Sequence, residues 1–144
     1  MQNPPPVQVS SQPPAQAGKS STGLDENLAA LLSYVFGWLS GLIFFLMEKD
    51  SRLVRFHSMQ SILLSVAAVV IIIVFWIVAV VSSLVVSYIS GILGFIVWIV
   101  MVLVGSLLGL GIVVAAIISA VKAYQGQFFK LPVIGNYAEK FSTK

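Results

Sequence analysis

The chain has 144 residues, of which 58% are apolar and only 9% are Lys, Arg, Asp or Glu, with a formal net charge of +3. Soluble domains carry about a quarter charged residues, so a chain this apolar reads as an integral membrane protein and a water-soluble fold is excluded. With no cysteine, a disulfide framework, a thiolate metal site and a cysteine nucleophile are also excluded.

Residues 1 to 24 hold five of the six prolines together with Gln, Ser and Gly. Such a composition buries too little apolar area to offset chain ordering, so a disordered, solvated tail is expected there. These residues lack a basic start followed by an apolar core, so no cleavable signal peptide is expected and the first apolar stretch acts as a signal anchor. The membrane domain occupies residues 25–144.

Asp25-Glu26-Asn27 supplies the polar groups and the acidic charge favoured at a helix start. The span that follows, 27–47, is about 21 residues or roughly 32 Å long, close to the roughly 30 Å of a bilayer core. Within it Ala29, Ser33, Gly37 and Gly41 recur every four residues, which on one helix makes a small-residue face where a second backbone can pack.

The hinge 48–60, EKDSRLVRFHSMQ, holds Glu48, Lys49, Asp50, Arg52, Arg55 and His57, six of the chain's fourteen ionisable Lys, Arg, Asp, Glu and His residues. Asp50 or Ser51 is placed to cap a new helix. That helix is amphipathic at the membrane surface, becomes wholly apolar after Gln60, and is expected to run unbroken from about Ser51 to Ser87, with a second span at 61–86. Ser87-Tyr88-Ile89-Ser90-Gly91 is an uncharged turn.

The third span, 92–121, is about 45 Å long, more than one crossing requires. Either it tilts and protrudes, or it breaks near Gly105, Gly109 and Gly111 into two passes, giving four spans. Three spans put Lys49, Arg52, Arg55, Lys122, Lys130, Lys140 and Lys144 on one side and Lys19 on the other, and the positive-inside rule favours that count. The N-terminus is then outside and the C-terminus cytoplasmic, with the surplus lengths of the second and third helices protruding into the cytoplasm. Gly105 and Gly109 form a further close-packing pair. In the tail 122–144, Lys122, Tyr124, Phe128, Phe129 and Lys130 suit the headgroup level. Gly126 and Pro132 end the helix. A short interfacial helix follows, with Val133, Tyr137 and Phe141 on one face. The expected fold is thus an all-α polytopic bundle.

Ala29 to Ser61 and Lys122 to Lys140 together resemble a widespread family of small prokaryotic membrane proteins. That family is described as similar to the twenty-kilodalton Tic component of the chloroplast inner-envelope protein import machinery. The resemblance implies a multi-pass helical protein of the plasma membrane with a link to protein translocation, and it supplies no catalytic residues.

None of the three spans contains a carboxylate, His, Lys or Arg, which disfavours ion-coupled transport. His57 is the chain's one histidine, and too few neighbours could join it around a metal. No catalytic set, metal or cofactor is expected, and the membrane-flanking basic residues argue against nucleic acid. Arg52 and Arg55 either bind anionic lipid headgroups or pair with Glu48, Asp50 or Glu139 to lock the hinge to the tail. With Glu48, Asp50, His57 and Gln60 they are the candidate contact residues. The expected role is non-enzymatic: an accessory or assembly subunit acting through homo- or hetero-oligomeric partners in the bilayer. A passive oligomeric channel or small-solute transporter is the alternative.

Overall fold

A computed structural model describes residues 18–142. Its regular elements are five helices: α1 Glu26–Leu32, α2 Trp38–Met47, α3 Arg52–Ser87, α4 Gly91–Tyr124 and α5 Ile134–Ser142. The chain therefore adopts the all-α class that its composition dictates.

Ser51 is the cap of α3. Its backbone is extended and its hydroxyl accepts from the Val54 amide at 3.2 Å. Nothing between Arg52 and Ser87 interrupts the helix, because that stretch contains no proline and no glycine. α4 follows after the uncharged turn Tyr88–Ser90 and runs unbroken past Gly105, Gly109 and Gly111, so the helix break considered at those glycines is absent.

α3 and α4 form an antiparallel hairpin. Trp76 and Trp98 meet in a tilted contact with centroids 5.8 Å apart, Gly105 sits against the Phe75 ring, and at the far end Ala123 shares a cluster with Leu53 and Val54. At about 1.5 Å per residue the 36 and 34 residues of these helices span roughly 54 and 51 Å. Both are long and apolar enough to cross a membrane, and their outward side chains, among them Ile77, Val81, Ile92 and Leu103, are exposed. In water such a surface would be untenable.

The first apolar stretch departs from expectation. Residues 27–47 are not one helix: α1 and α2 are separated by the turn through Gly37, whose φ of 58° and ψ of −125° lie in a region open in practice only to glycine. The break reverses the chain. The Glu26 carboxylate, at the start of α1, accepts from the Ser51 hydroxyl at 2.5 Å. The Glu48 carboxylate, just after α2, accepts from the Ser51 amide at 2.9 Å. Both ends of the stretch thus meet at the N-terminus of α3, and the turn between them reaches only as far along α3 as Ser61 and Ser65.

The physical reason lies in the serines around the turn. A helix break in an apolar setting strands backbone groups that must find partners. Here the Phe36 amide donates to the Ser40 hydroxyl at 3.1 Å, Ser40 donates to the Ser33 carbonyl at 2.9 Å, and Ser61 donates to the Gly37 carbonyl at 3.0 Å. The four-residue ladder of small side chains is therefore not one helix face, although its members still serve close contacts. Ala29 is in the core cluster, Ser33 bonds Ser58 at 2.8 Å, and a Cβ on Gly41 would lie 2.9 Å from the Ser58 carbonyl oxygen.

The core is small and sits at this same end, built from Ala29, Ala30, Leu53, Val54 and Ala123 with Tyr34 and Phe44 against it. Gly126, at φ 70°, turns the chain out of α4. α5 then packs back on the first turns of α3 with Val133, Tyr137 and Phe141 exposed beside it. Residues 18–24, expected as part of a disordered tail, instead form a strap: the Glu26 amide donates to the Gly18 carbonyl and the Ser20 amide to the Leu24 carbonyl, each at 2.9 Å. Residues 1–17 lie outside the described part of the chain.

Replacing Gly37 with Ala should destabilise the protein by about 1–3 kcal/mol through backbone strain, read as a lower melting midpoint in mild detergent. Gly109, with open space around its Cα inside a regular helix, should tolerate the same change with a midpoint at or above the wild type.

Candidate functional site: the polar cap

At the open end of the hairpin, the strap, α1, α2, the first turns of α3, the loop after α4 and α5 enclose a set of polar side chains. This cap gathers most of the hinge residues that the sequence singles out.

Glu48 is its anchor. The carboxylate is fully buried and accepts from the Ser20 hydroxyl, the Ser21 amide at 3.1 Å, the Ser21 hydroxyl at 2.8 Å, the Asp50 amide at 3.0 Å and the Ser51 amide at 2.9 Å. Burial opposes ionisation, but the bonds from Ser20, Ser51 and Ser21 outweigh it and pull the Glu48 carboxyl down to about 2. A buried charge here is held by directed dipoles rather than by a cation. The Asp50 carboxylate lies 2.9 Å from the same Ser21 hydroxyl and shares its one hydrogen with Glu48. The serines of the strap were not legible as partners, because they follow directly on a Pro- and Gln-rich composition. The change from Pro and Gln to Lys19-Ser20-Ser21-Thr22-Gly23 just before a helix start is the one local signal.

A second network holds the loop after α4. His57 Nε2 lies 2.9 Å from the Gln127 carbonyl and therefore donates, which leaves Nδ1 to accept from the Tyr34 hydroxyl at 3.1 Å. The Gln60 amide donates to the Tyr34 oxygen and to the Phe129 carbonyl, both at 3.1 Å. Phe56 packs edge-on to His57 at 5.1 Å and against Phe128 at 5.5 Å. His57 and Gln60 are both fully buried. Their polar atoms are spent on backbone groups of the loop after α4 and on the Tyr34 hydroxyl. Ser119 is also buried, close to the Tyr34 side chain.

The two arginines diverge. Arg55 does join hinge to tail, but through carbonyl oxygens and not carboxylates: Nε donates to Ser142 at 3.2 Å, Nη1 to Glu48 at 3.4 Å, and the guanidinium lies 5.0 Å from the Phe45 ring centroid. Arg52 is exposed and lines a cavity of about 330 Å³ with Phe56, Phe128, Glu139 and Ser142. Lys130 pairs with Glu139 at 2.7 Å. Lys122 and Tyr124, on the last turn of α4, and Phe128, Phe129 and Lys130 all lie at this end. Of the remaining packing residues, Gly105 touches Phe75 while Gly109 has nothing within 4 Å. Among the described residues no group of three or more His, Asp and Glu could hold a metal ion.

Residues 24–138 match the model of the magnetosome magnetite crystal formation protein family. A UPF0132 membrane protein of Methanocaldococcus jannaschii is 37% identical over 130 residues, covering 87% of this chain and 96% of the relative. A second from that archaeon is 34% identical, covering 83% and 71%, and one from Archaeoglobus fulgidus is 34% identical, covering 81% and 95%. No solved structure matches the chain.

Because the Glu48 carboxyl lies below its ordinary 4.5 in the folded chain, its stabilisation is complete above about pH 4.5 and fades as the pH falls towards 2. Melting midpoints of the wild type should therefore drop across that interval. Glu48→Gln should melt lower at neutral pH and lose that part of the acid dependence.

Proposed function

The chain belongs to the magnetosome magnetite crystal formation protein family and has archaeal relatives named as membrane proteins, and we propose that it is a plasma-membrane protein without catalytic activity. On this reading it acts by association, as an accessory or assembly subunit of a membrane complex. The observation that carries it is the use made of the cap's polar groups: Glu48, Arg55, His57 and Gln60 are all bonded to the strap, to Tyr34 or to carbonyls of the C-terminal loop and tail. Groups so engaged hold segments together rather than face a substrate. The exposed α3–α4 hairpin, without charge from Ser61 to Val121, then offers lipid or helical partners a continuous apolar surface. The resemblance to the chloroplast import component makes a translocation complex one candidate assembly.

We further propose two crossings in place of three. In this arrangement α1 and α2 form a shallow re-entrant pair that enters at the capped end and turns back at Gly37, with Leu42, Ile43 and Leu46 facing lipid. Arg52–Gln60 stays with the cap, and Ser61–Ser87, 27 residues or roughly 40 Å, crosses with a tilt. The meeting of Glu26 and Glu48 at Ser51 supports this course. Charge supports it too, since Lys19, Lys49, Arg52, Arg55, Lys122, Lys130 and Lys140 then share one side and none is left at the Tyr88–Ser90 turn. The positive-inside rule makes the shared side cytoplasmic, with both ends of the chain in the cytoplasm.

The chain has no cysteine, so single cysteines at Thr22, Tyr88 and Ser142 report topology cleanly. A membrane-impermeant maleimide applied to intact cells should label Tyr88→Cys, while Thr22→Cys and Ser142→Cys should react only in inverted vesicles. Labelling of Thr22→Cys from outside would restore the three-span arrangement. Crosslinking in native membranes should capture oligomers or a partner. A strict monomer, or solute flux through liposomes carrying the chain, would count against the assembly role, and flux would favour a channel.

A further inference from the structure

The cavity between the first turn of α3, the loop after α4 and the end of α5 differs in chemistry from the apolar grooves along the helices. The grooves along Ile72–Val81 and between α1 and α4 are lined almost wholly by apolar side chains and suit acyl chains. The cavity at Arg52 is amphipathic. Phe56 and Phe128, in tilted contact with centroids 5.5 Å apart, form one wall, and Arg52, Glu139 and Ser142 form the rest.

Its charge is unbalanced. Glu139 is engaged by the Lys130 ammonium at 2.7 Å, and Arg55 beside it is engaged by the carbonyls of Ser142 and Glu48. Arg52 is different: its guanidinium has no hydrogen-bond or ionic partner among the described residues, although Glu139 lines the same cavity. A planar donor fork left unpaired in a cavity that two phenyl rings also line fits a phosphate oxygen pair, with apolar substituents lying along the rings. The volume, about 330 Å³, is that of a small-molecule pocket and holds a headgroup rather than a whole lipid. Phe128 is itself exposed and continues the apolar wall outwards.

We propose that this cavity seats the phosphate of an anionic phospholipid, with Arg52 as its principal donor and Phe56 and Phe128 as the wall along the glycerol and upper acyl region. The site falls at cytoplasmic headgroup level in the orientation proposed above, and it rests on that reading only for its position. The binding chemistry belongs to the cap itself.

The test is native mass spectrometry of the full chain in mild detergent, titrated separately with phosphatidylglycerol, phosphatidylcholine and inorganic phosphate. The wild type should retain phosphatidylglycerol and little phosphatidylcholine. Arg52→Gln should weaken phosphatidylglycerol retention about tenfold, Arg52→Lys less, and Lys49→Gln, whose side chain is outside the cavity, hardly at all. Phe128→Ala should weaken retention while leaving Arg52 in place. Equal retention by the wild type and Arg52→Gln would overturn the assignment, as would equal binding of the zwitterionic lipid. Inorganic phosphate competing at concentrations similar to the lipid would overturn the lipid source in favour of a free anion. The measurement is made without a bilayer, so failure of the topology leaves its outcome unchanged.

Discussion

The fold depends on how an interrupted helix keeps its backbone satisfied where water is scarce. At Gly37 the chain abandons helical geometry, and each freed polar group that matters is met by a hydroxyl: Ser40 serves the Phe36 amide and the Ser33 carbonyl, and Ser61 serves the Gly37 carbonyl. Without those hydroxyls the break would leave buried, unpaired peptide groups, each a cost of about 1–3 kcal/mol, and a straight helix would be preferred. Because the break is satisfied, α1 and α2 can lie side by side on α3, and the polar residues flanking them, Glu26 and Glu48, arrive at one place.

That convergence explains the density of polar contacts in the cap. Four chain segments distant in sequence, the strap, the α2–α3 junction, the loop after α4 and the end of α5, have little apolar area to bury against one another. They are joined by directed bonds to a few side chains, chiefly Glu48, His57, Gln60 and Arg55. Each of these serves at least two partners, so removal of any one frees more than one segment. The long hairpin, by contrast, is held by side-chain packing, as at Trp76 with Trp98 and Gly105 with Phe75, and offers its outer faces to the surroundings.

Much of this was legible in the residues. The charge-free runs, the Ser51 cap, the uncharged turn at Tyr88–Ser90 and the exit at Gly126 are local signals, and the helices follow them closely. The hinge stood out in the sequence as the densest group of ionisable residues, whereas the Arg55 partners, the carbonyls of Ser142 and Glu48, did not. The course of α1 and α2 was not legible, because Gly37 reads equally well as a packing residue in a straight helix. Only the positions of Ser58, Ser61 and Ser65 on another element decide between the two. The partners of Glu48 were hidden for the same reason, since Ser20 and Ser21 are 28 and 27 residues away and no periodicity links them. Contacts of that kind are set by tertiary geometry, which composition and spacing do not encode.

The bareness of the Tyr88–Ser90 turn bears on how the protein reaches its place during synthesis. In the proposed two-crossing arrangement, the loop between α3 and α4 must travel through the hydrocarbon, and it carries no ionised group. Delivering it therefore avoids the roughly 2.5–3.5 kcal/mol that a single Lys, Arg or Asp costs at mid-membrane. The hairpin can then enter as a preformed pair, tip first, while the hydrophilic segments assemble behind it without ever leaving the compartment in which they were made.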